Sequence, residues 1–263
     1  GSTGTATVTG AGSKWQSSQN LNVGLSGTGT LDIMDGGLVE VGAAGLPKHV
    51  TLGAFSTGNG TLTLADDGVL RLHGGSLTQG SGAAAFHFNG GRLEGVGAFS
   101  VGTGLTQNGG VLAPGNSPGV TVIHGDYTLN AGALEIELDG TAGAGHPLGH
   151  DLLQVHGQVT LGSSAFLDLK LGFAPAMGQE FLILDNLIAG AVTGSFVNGA
   201  TLTATFASQT YRFAVNYAAG DGNDVSITAV PEPSTILSAG LAATLLGARR
   251  RKKNASRVGG RQL

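Results

Sequence analysis

The chain has 263 residues with 48 glycines, 7 prolines, no cysteine and a net charge of −4; charged residues make up only 11% and aromatics 5%. With so little proline and no three-residue glycine period it is not collagen-like, and an apolar share of 41% excludes a disordered linker. The lack of cysteine excludes both a disulfide framework and any thiolate metal site.

The charge is unevenly placed. Seven of the 13 basic residues lie at or after Arg249, so residues 1–248 set six cations against all 17 acids and carry −11. Nucleic-acid affinity needs clustered Lys and Arg to displace counterions, so no nucleic-acid partner is expected.

From residue 1 to about 118 the chain repeats loosely. Gly4-Thr5-Ala6-Thr7-Val8, Gly29-Thr30-Leu31-Asp32-Ile33 and Gly60-Thr61-Leu62-Thr63-Leu64 share one pattern, with starts 25 and 31 residues apart. A second beat follows: Asp35-Gly36-Gly37, Asp67-Gly68, Asn89-Gly90-Gly91 and Asn108-Gly109-Gly110, spaced by 32, 22 and 19 residues. Asp or Asn beside Gly gives a tight turn, and a short apolar strand follows each one. Repeats of about 20–50 residues signal stacked architectures. Two or three short strands per unit and few aromatics favour coils of a parallel β-helix over propeller blades. A meander or sandwich of Asp-Gly hairpins is the alternative.

Leu112-Ala113-Pro114-Gly115-Asn116-Ser117-Pro118-Gly119 reads as a rigid break. Beyond it the alternation is cleaner, in 133–138, 152–155, 166–171 and 181–184, and period 2 marks one wet and one buried face. Thr201–Phe206 and Tyr211–Tyr217 read as an antiparallel hairpin that covers an edge. The expected fold is therefore all-β: a right-handed parallel β-helix, or β-solenoid, with a C-terminal antiparallel cap and a short C-terminal hydrophobic helix. It divides into solenoid repeats (1–118), a β-rich C-terminal part of the body (119–229), a tail signal (230–253) and a last stretch (254–263).

Several residues invite a chemical reading. Gly220-Asp221-Gly222-Asn223-Asp224 has the look of a Ca²⁺ turn but occurs once, so an Asx-rich turn is expected. His146, His150, Asp151 and His156 lie close in sequence, on a loop broken by Pro147 and Gly149, and form an incomplete zinc set. Glu135 and Glu137 share one face of a strand, read as its solvated face. The body's cations, Lys14, Lys48, Arg71, Arg92, Lys170 and Arg212, mark no acid–base cluster in the sequence. No catalytic residue, metal or cofactor is expected.

The tail is the most specific segment. Val230-Pro231-Glu232-Pro233-Ser234 precedes an uncharged run, Thr235 to Ala248, which stops at Arg249-Arg250-Arg251-Lys252-Lys253. The two prolines keep the motif extended. The run suits a helix apolar all round, short for a bilayer that asks for roughly 17–25 residues, and basic flanks stay on the cytoplasmic side. A buried C-terminal helix is the alternative. The chain starts at Gly1 without Met, so an exported precursor would carry a signal peptide upstream.

Two resemblances follow from these residues. The motif, apolar run and basic cluster of 230–253 resemble the PEP-CTERM sorting signal of Gram-negative bacteria. That implies an exosortase partner, contact with the membrane during sorting, a cell-surface or extracellular-matrix location and an association with exopolysaccharide or biofilm. The Gly-Thr-Leu units, the Ala113–Gly119 block, His150-Asp151-Leu152-Leu153 and Gly220–Val225 resemble autotransporter-associated β-strand repeat proteins. That implies a passenger-like β-solenoid on display, here without a membrane barrel after it. The expected function is a non-enzymatic structural or adhesive surface protein; the alternative is a carbohydrate-active β-helix enzyme, a polysaccharide lyase or hydrolase, with the same tail.

Overall fold

The computed structural model of the protein describes residues 1–115 and 118–231. Every regular element among them is a strand, and most pairings are parallel. The chain returns again and again to the same three strand positions, which build three ladders. The first runs through Thr3–Thr9, Thr28–Met34, Asn59–Leu64, Ala83–Phe88 and Gly104–Gln107 into the leading parts of Asp126–Leu138 and Val159–Leu171. The second takes Lys14–Ser17, Leu38–Ala43, the starts of Val69–Gln79 and Arg92–Ser100, Val111–Pro114, and the trailing parts of the same two long strands. The third takes Leu21–Val23, Val50–Leu52, the ends of Val69–Gln79 and Arg92–Ser100, then Val120–Ile123, Leu152–Val155 and Glu180–Asn186.

Period-2 alternation sends every second side chain between the ladders, and parallel register stacks like on like. One column on the second ladder reads Val39, Leu70, Leu93, Leu112, Leu134, Leu167, paired rung to rung and each at most 1% exposed. Leu77, Phe99, Ile123 and Val155 form the matching column on the third. At about 1.5–3 kcal/mol for each fully buried aliphatic side chain, these columns are the main source of stability.

The Asp/Asn-Gly beat marks corners between the first and second ladders. Asp35 (φ 52°) and Gly36 (φ 80°) turn the first of them in left-handed backbone. Further on, Gly91, Gly110 and Gly132 stand above one another, and the space a Cβ would need at each holds a carbonyl oxygen of the coil below, at 2.3 Å. Asn130 donates to Asn108 Oδ1 (2.9 Å) and Asn108 to Asn89 Oδ1 (3.3 Å), so the corner amides tie coil to coil. These turns link strands of different ladders, whereas a hairpin sandwich would pair the strands on either side.

Parallel pairing continues across Pro114–Gly119, with Phe99 opposite Ile123 and Val111 opposite Ala133. Thr193–Gly194 adds a last parallel rung to the first ladder, opposite Thr160 and Leu161, and beyond it the direction changes. Asp224–Val230 pairs antiparallel with both Glu180–Asn186 and Gln209–Ala219, and Gln209–Ala219 with Thr201–Phe206. The expected hairpin is present, turning at Ala207 (φ 47°) and Ser208 (φ 65°). No helix among the described residues is long and apolar enough to cross a membrane. The helix expected over Thr235–Ala248 lies outside the described residues.

Candidate functional site

On the second ladder the outward positions carry charge. Glu40, Arg71 and Glu94 occupy one rung-to-rung line, so opposite signs face each other across adjacent parallel strands. Two coils on, Glu135 pairs with Asp168 and Glu137 with Lys170. The side chains close a continuous chain of ion pairs. Lys14 Nζ lies 2.5 Å from Glu40, Arg71 Nε donates to Glu94 (2.5 Å), and Arg92 donates to Glu94. Arg92 also forks onto Glu135 at 2.6 and 3.2 Å, and Lys170 joins through Glu135 (3.9 Å) while holding Asp168 (2.9 Å). His73, in left-handed backbone (φ 50°), bonds Glu40 at 2.7 Å. Lys14 above all, with His73, holds the Glu40 carboxyl down at about 2, against the opposing effect of its burial.

Beside this chain lies a groove of about 300 Å³ walled by Arg71, His73, Arg92, Glu94, Glu137 and Asp151, with Pro114 and Gly115 at its rim. Asp151 is 1% exposed, and its carboxylate accepts from Gly119 N (2.6 Å) and Glu137 N (2.8 Å). Thr121 Oγ1 accepts from Gly115 N (2.9 Å) and donates to Val96 O (2.5 Å). Both described ends of the Gly115–Gly119 segment are thus pinned by buried side chains. Burial pushes the Asp151 carboxyl up to about 7, the nearby Glu137 and Glu135 push the same way, and the two N–H donors oppose. A raised acid binds a proton in the folded chain that the unfolded chain releases near pH 4, so its contribution to stability is full below about pH 4 and is lost as pH rises toward 7. The stability advantage of the wild type over Asp151→Asn should therefore be greatest near pH 4 and narrow by pH 8, measured as urea midpoints. A gap that widens with pH would refute the assignment.

The structure corrects two expectations. Four of the body's six cations, Lys14, Arg71, Arg92 and Lys170, belong to one acid–base network, which register creates from residues up to 156 positions apart. Glu135 does not face solvent: it is 6% exposed and neutralised by Arg92. The run Glu40, Arg71, Glu94 at one outward position of three successive repeats was the available signal.

The candidate ligand set of the loop is dispersed. His146 Nδ1 accepts from Leu148 N (3.0 Å), Asp151 faces the groove, and His156 stacks on His124 with centroids 5.2 Å apart. His150 turns the other way and donates from Nε2 to Leu182 O (3.0 Å), and burial pulls its imidazole pKa below the usual value. Among the described residues no three His, Asp or Glu side chains converge as a metal set. The Gly220–Asp224 segment is a turn in which Asp224 Oδ1 accepts from Asn186 N (2.9 Å).

Of the sorting-motif residues, Val230 ends the last strand opposite Arg212 and Pro231 follows it. Glu232, Pro233, Ser234 and Arg249, Arg250, Arg251, Lys252 and Lys253 lie outside the described residues. Comparison with protein families matches residues 229–252 to the PEP-CTERM protein-sorting motif. Neither the curated proteins nor the solved structures give a match. The chain therefore carries the signal of an exported protein that an exosortase processes and sorts to the cell envelope or surface.

Proposed function

We propose that the chain is a structural or adhesive β-solenoid, right-handed and non-enzymatic, delivered to the surface of a Gram-negative cell and held in its exopolysaccharide or biofilm matrix. The sorting motif immediately after the last strand carries this reading. Three stacked parallel ladders support the solenoid, since such a body is rigid and spans distance with few residues per rung. The likeness of its repeats to autotransporter-associated strands supports display rather than catalysis. In a host with an exosortase, mass spectrometry of the mature protein should find a C-terminus close to Pro231–Ser234, and Pro233→Ala should leave the basic end attached. Recovery of an intact Leu263 terminus on the wild-type surface protein would sink the proposal.

The groove favours one other reading, a carbohydrate-active enzyme, because it sets carboxyl and guanidinium groups side by side. Turnover of an acidic polysaccharide that disappears in Glu94→Gln would carry it.

A further inference from the structure

The matched sorting motif and the folded body overlap. The match begins at Ala229, yet Ala229 and Val230 are the last residues of the strand Asp224–Val230, an inner strand with a partner on each side. Val230 stands opposite Arg212. Ala229 exchanges hydrogen bonds with the loop before Glu180, donating to Gln179 O (2.9 Å) and accepting from Gly178 N (2.8 Å). Pro231 follows directly, and Glu232 is one peptide bond further on, about 3.8 Å from Cα to Cα. No linker separates the motif from the body, so an enzyme that grips Glu232 and Pro233 necessarily touches the surface around Pro231.

That surface holds a groove of about 180 Å³. Pro175 and Met177 line it from the loop, Gln209, Tyr211 and Arg212 from the neighbouring strand, and Pro231 lies in it. Two of its side chains suit a protein partner, since Met and Arg are enriched where proteins meet. Met177 is 66% exposed, and its unbranched thioether adapts to an opposing apolar surface. Arg212 stands outside the charge network of the second ladder; it donates to Thr201 Oγ1 (3.1 Å) and meets no carboxylate among the described residues. Residues 1–248 carry a net −11, so a guanidinium left without a counter-charge beside an exposed methionine calls for a partner that brings apolar residues and an acid.

We propose that this groove is a docking surface for the exosortase, which reads the folded end of the body together with the motif. The proposal rests on the sorting reading above. It makes folding part of the signal: a chain whose last strand has not entered the sheet presents the motif without the groove, and is a poor substrate.

The test is a pulse–chase of the exported chain in a host with an exosortase, following loss of the basic end over time. Met177→Asp and Arg212→Glu are compared with wild type and with Leu46→Asp, a control at an equally exposed side chain in an early coil. Each groove variant should be cut about tenfold more slowly, as loss of an interface anchor predicts, and the control should match wild type. Should a groove variant lose its fold by circular dichroism, a spacer of about eight Gly and Ser residues between Pro231 and Glu232 decides instead. It leaves the strands untouched, lowers the effective concentration of groove beside motif, and should also slow cleavage. Wild-type rates in the variants, or faster cleavage with the spacer, would overturn the docking surface and leave the sorting reading standing; a wild type that is never cut would remove both. A dimer of the purified chain that Met177→Asp dissolves would assign the groove to a second copy instead.

Discussion

Truncating Arg92 to alanine should destabilise the fold by about 3 kcal/mol, seen as a lower urea midpoint, because it leaves a buried carboxylate with only Lys170, at 3.9 Å, as counter-charge. Glu135 is 6% exposed and receives both terminal nitrogens of Arg92; Glu94 receives its Nε. Arg92 itself keeps 32% of its side chain in contact with solvent, which places the cost at the low end of the range for a broken buried pair. Replacing both partners, Arg92→Met with Glu135→Leu, should recover most of the loss, since the desolvation cost leaves with the charges. A single variant within about 0.5 kcal/mol of wild type, the usual spread for surface changes, would show that the network is solvated decoration.

The second large effect belongs to the leucine column. Leu93→Ala removes three carbons between Leu70 and Leu112, at a site with no exposure, and should cost about 2–5 kcal/mol. Stacked coils meet only their neighbours, so the damage should be local at first: strand signal near Leu70 and Leu112 should melt before the antiparallel strands at the far end. Hydrogen exchange resolved by coil is the measurement. Thr106→Ala, outward on the first ladder, should change little. Equal costs for the two substitutions would contradict an interior built from inward columns.

Much of this was legible before any coordinates. The Gly-Thr units 25 and 31 residues apart are the first ladder in register, Gly4 opposite Gly29 opposite Gly60. The Asn-Gly-Gly beat is the corner where amides and glycines stack, because both residues tolerate the left-handed backbone a coil must adopt there. Two motifs 32 residues apart, Pro118-Gly119 and His150-Asp151, turn out to be one contact, Asp151 to Gly119 N. Their meeting could not be read locally, since it depends on which coil lies beneath which. The same holds for the acid–base network: charge at outward positions reads as a solvated face until register sets Arg92 against Glu135. His150 was visible as a loop histidine, but only packing decides that one of its nitrogens is buried without a partner.

The coils are unequal in length. Nineteen residues separate Arg92 from its partner Val111, and 33 separate Ala133 from Phe166, yet the leucine column passes through both without a gap. The surplus is absorbed in peripheral loops, so insertions there leave the interior untouched, and loss or duplication of a whole turn would splice cleanly. Such a body behaves as a ruler with a tick of about 4.8 Å: its length can change one increment at a time without reinventing its interior.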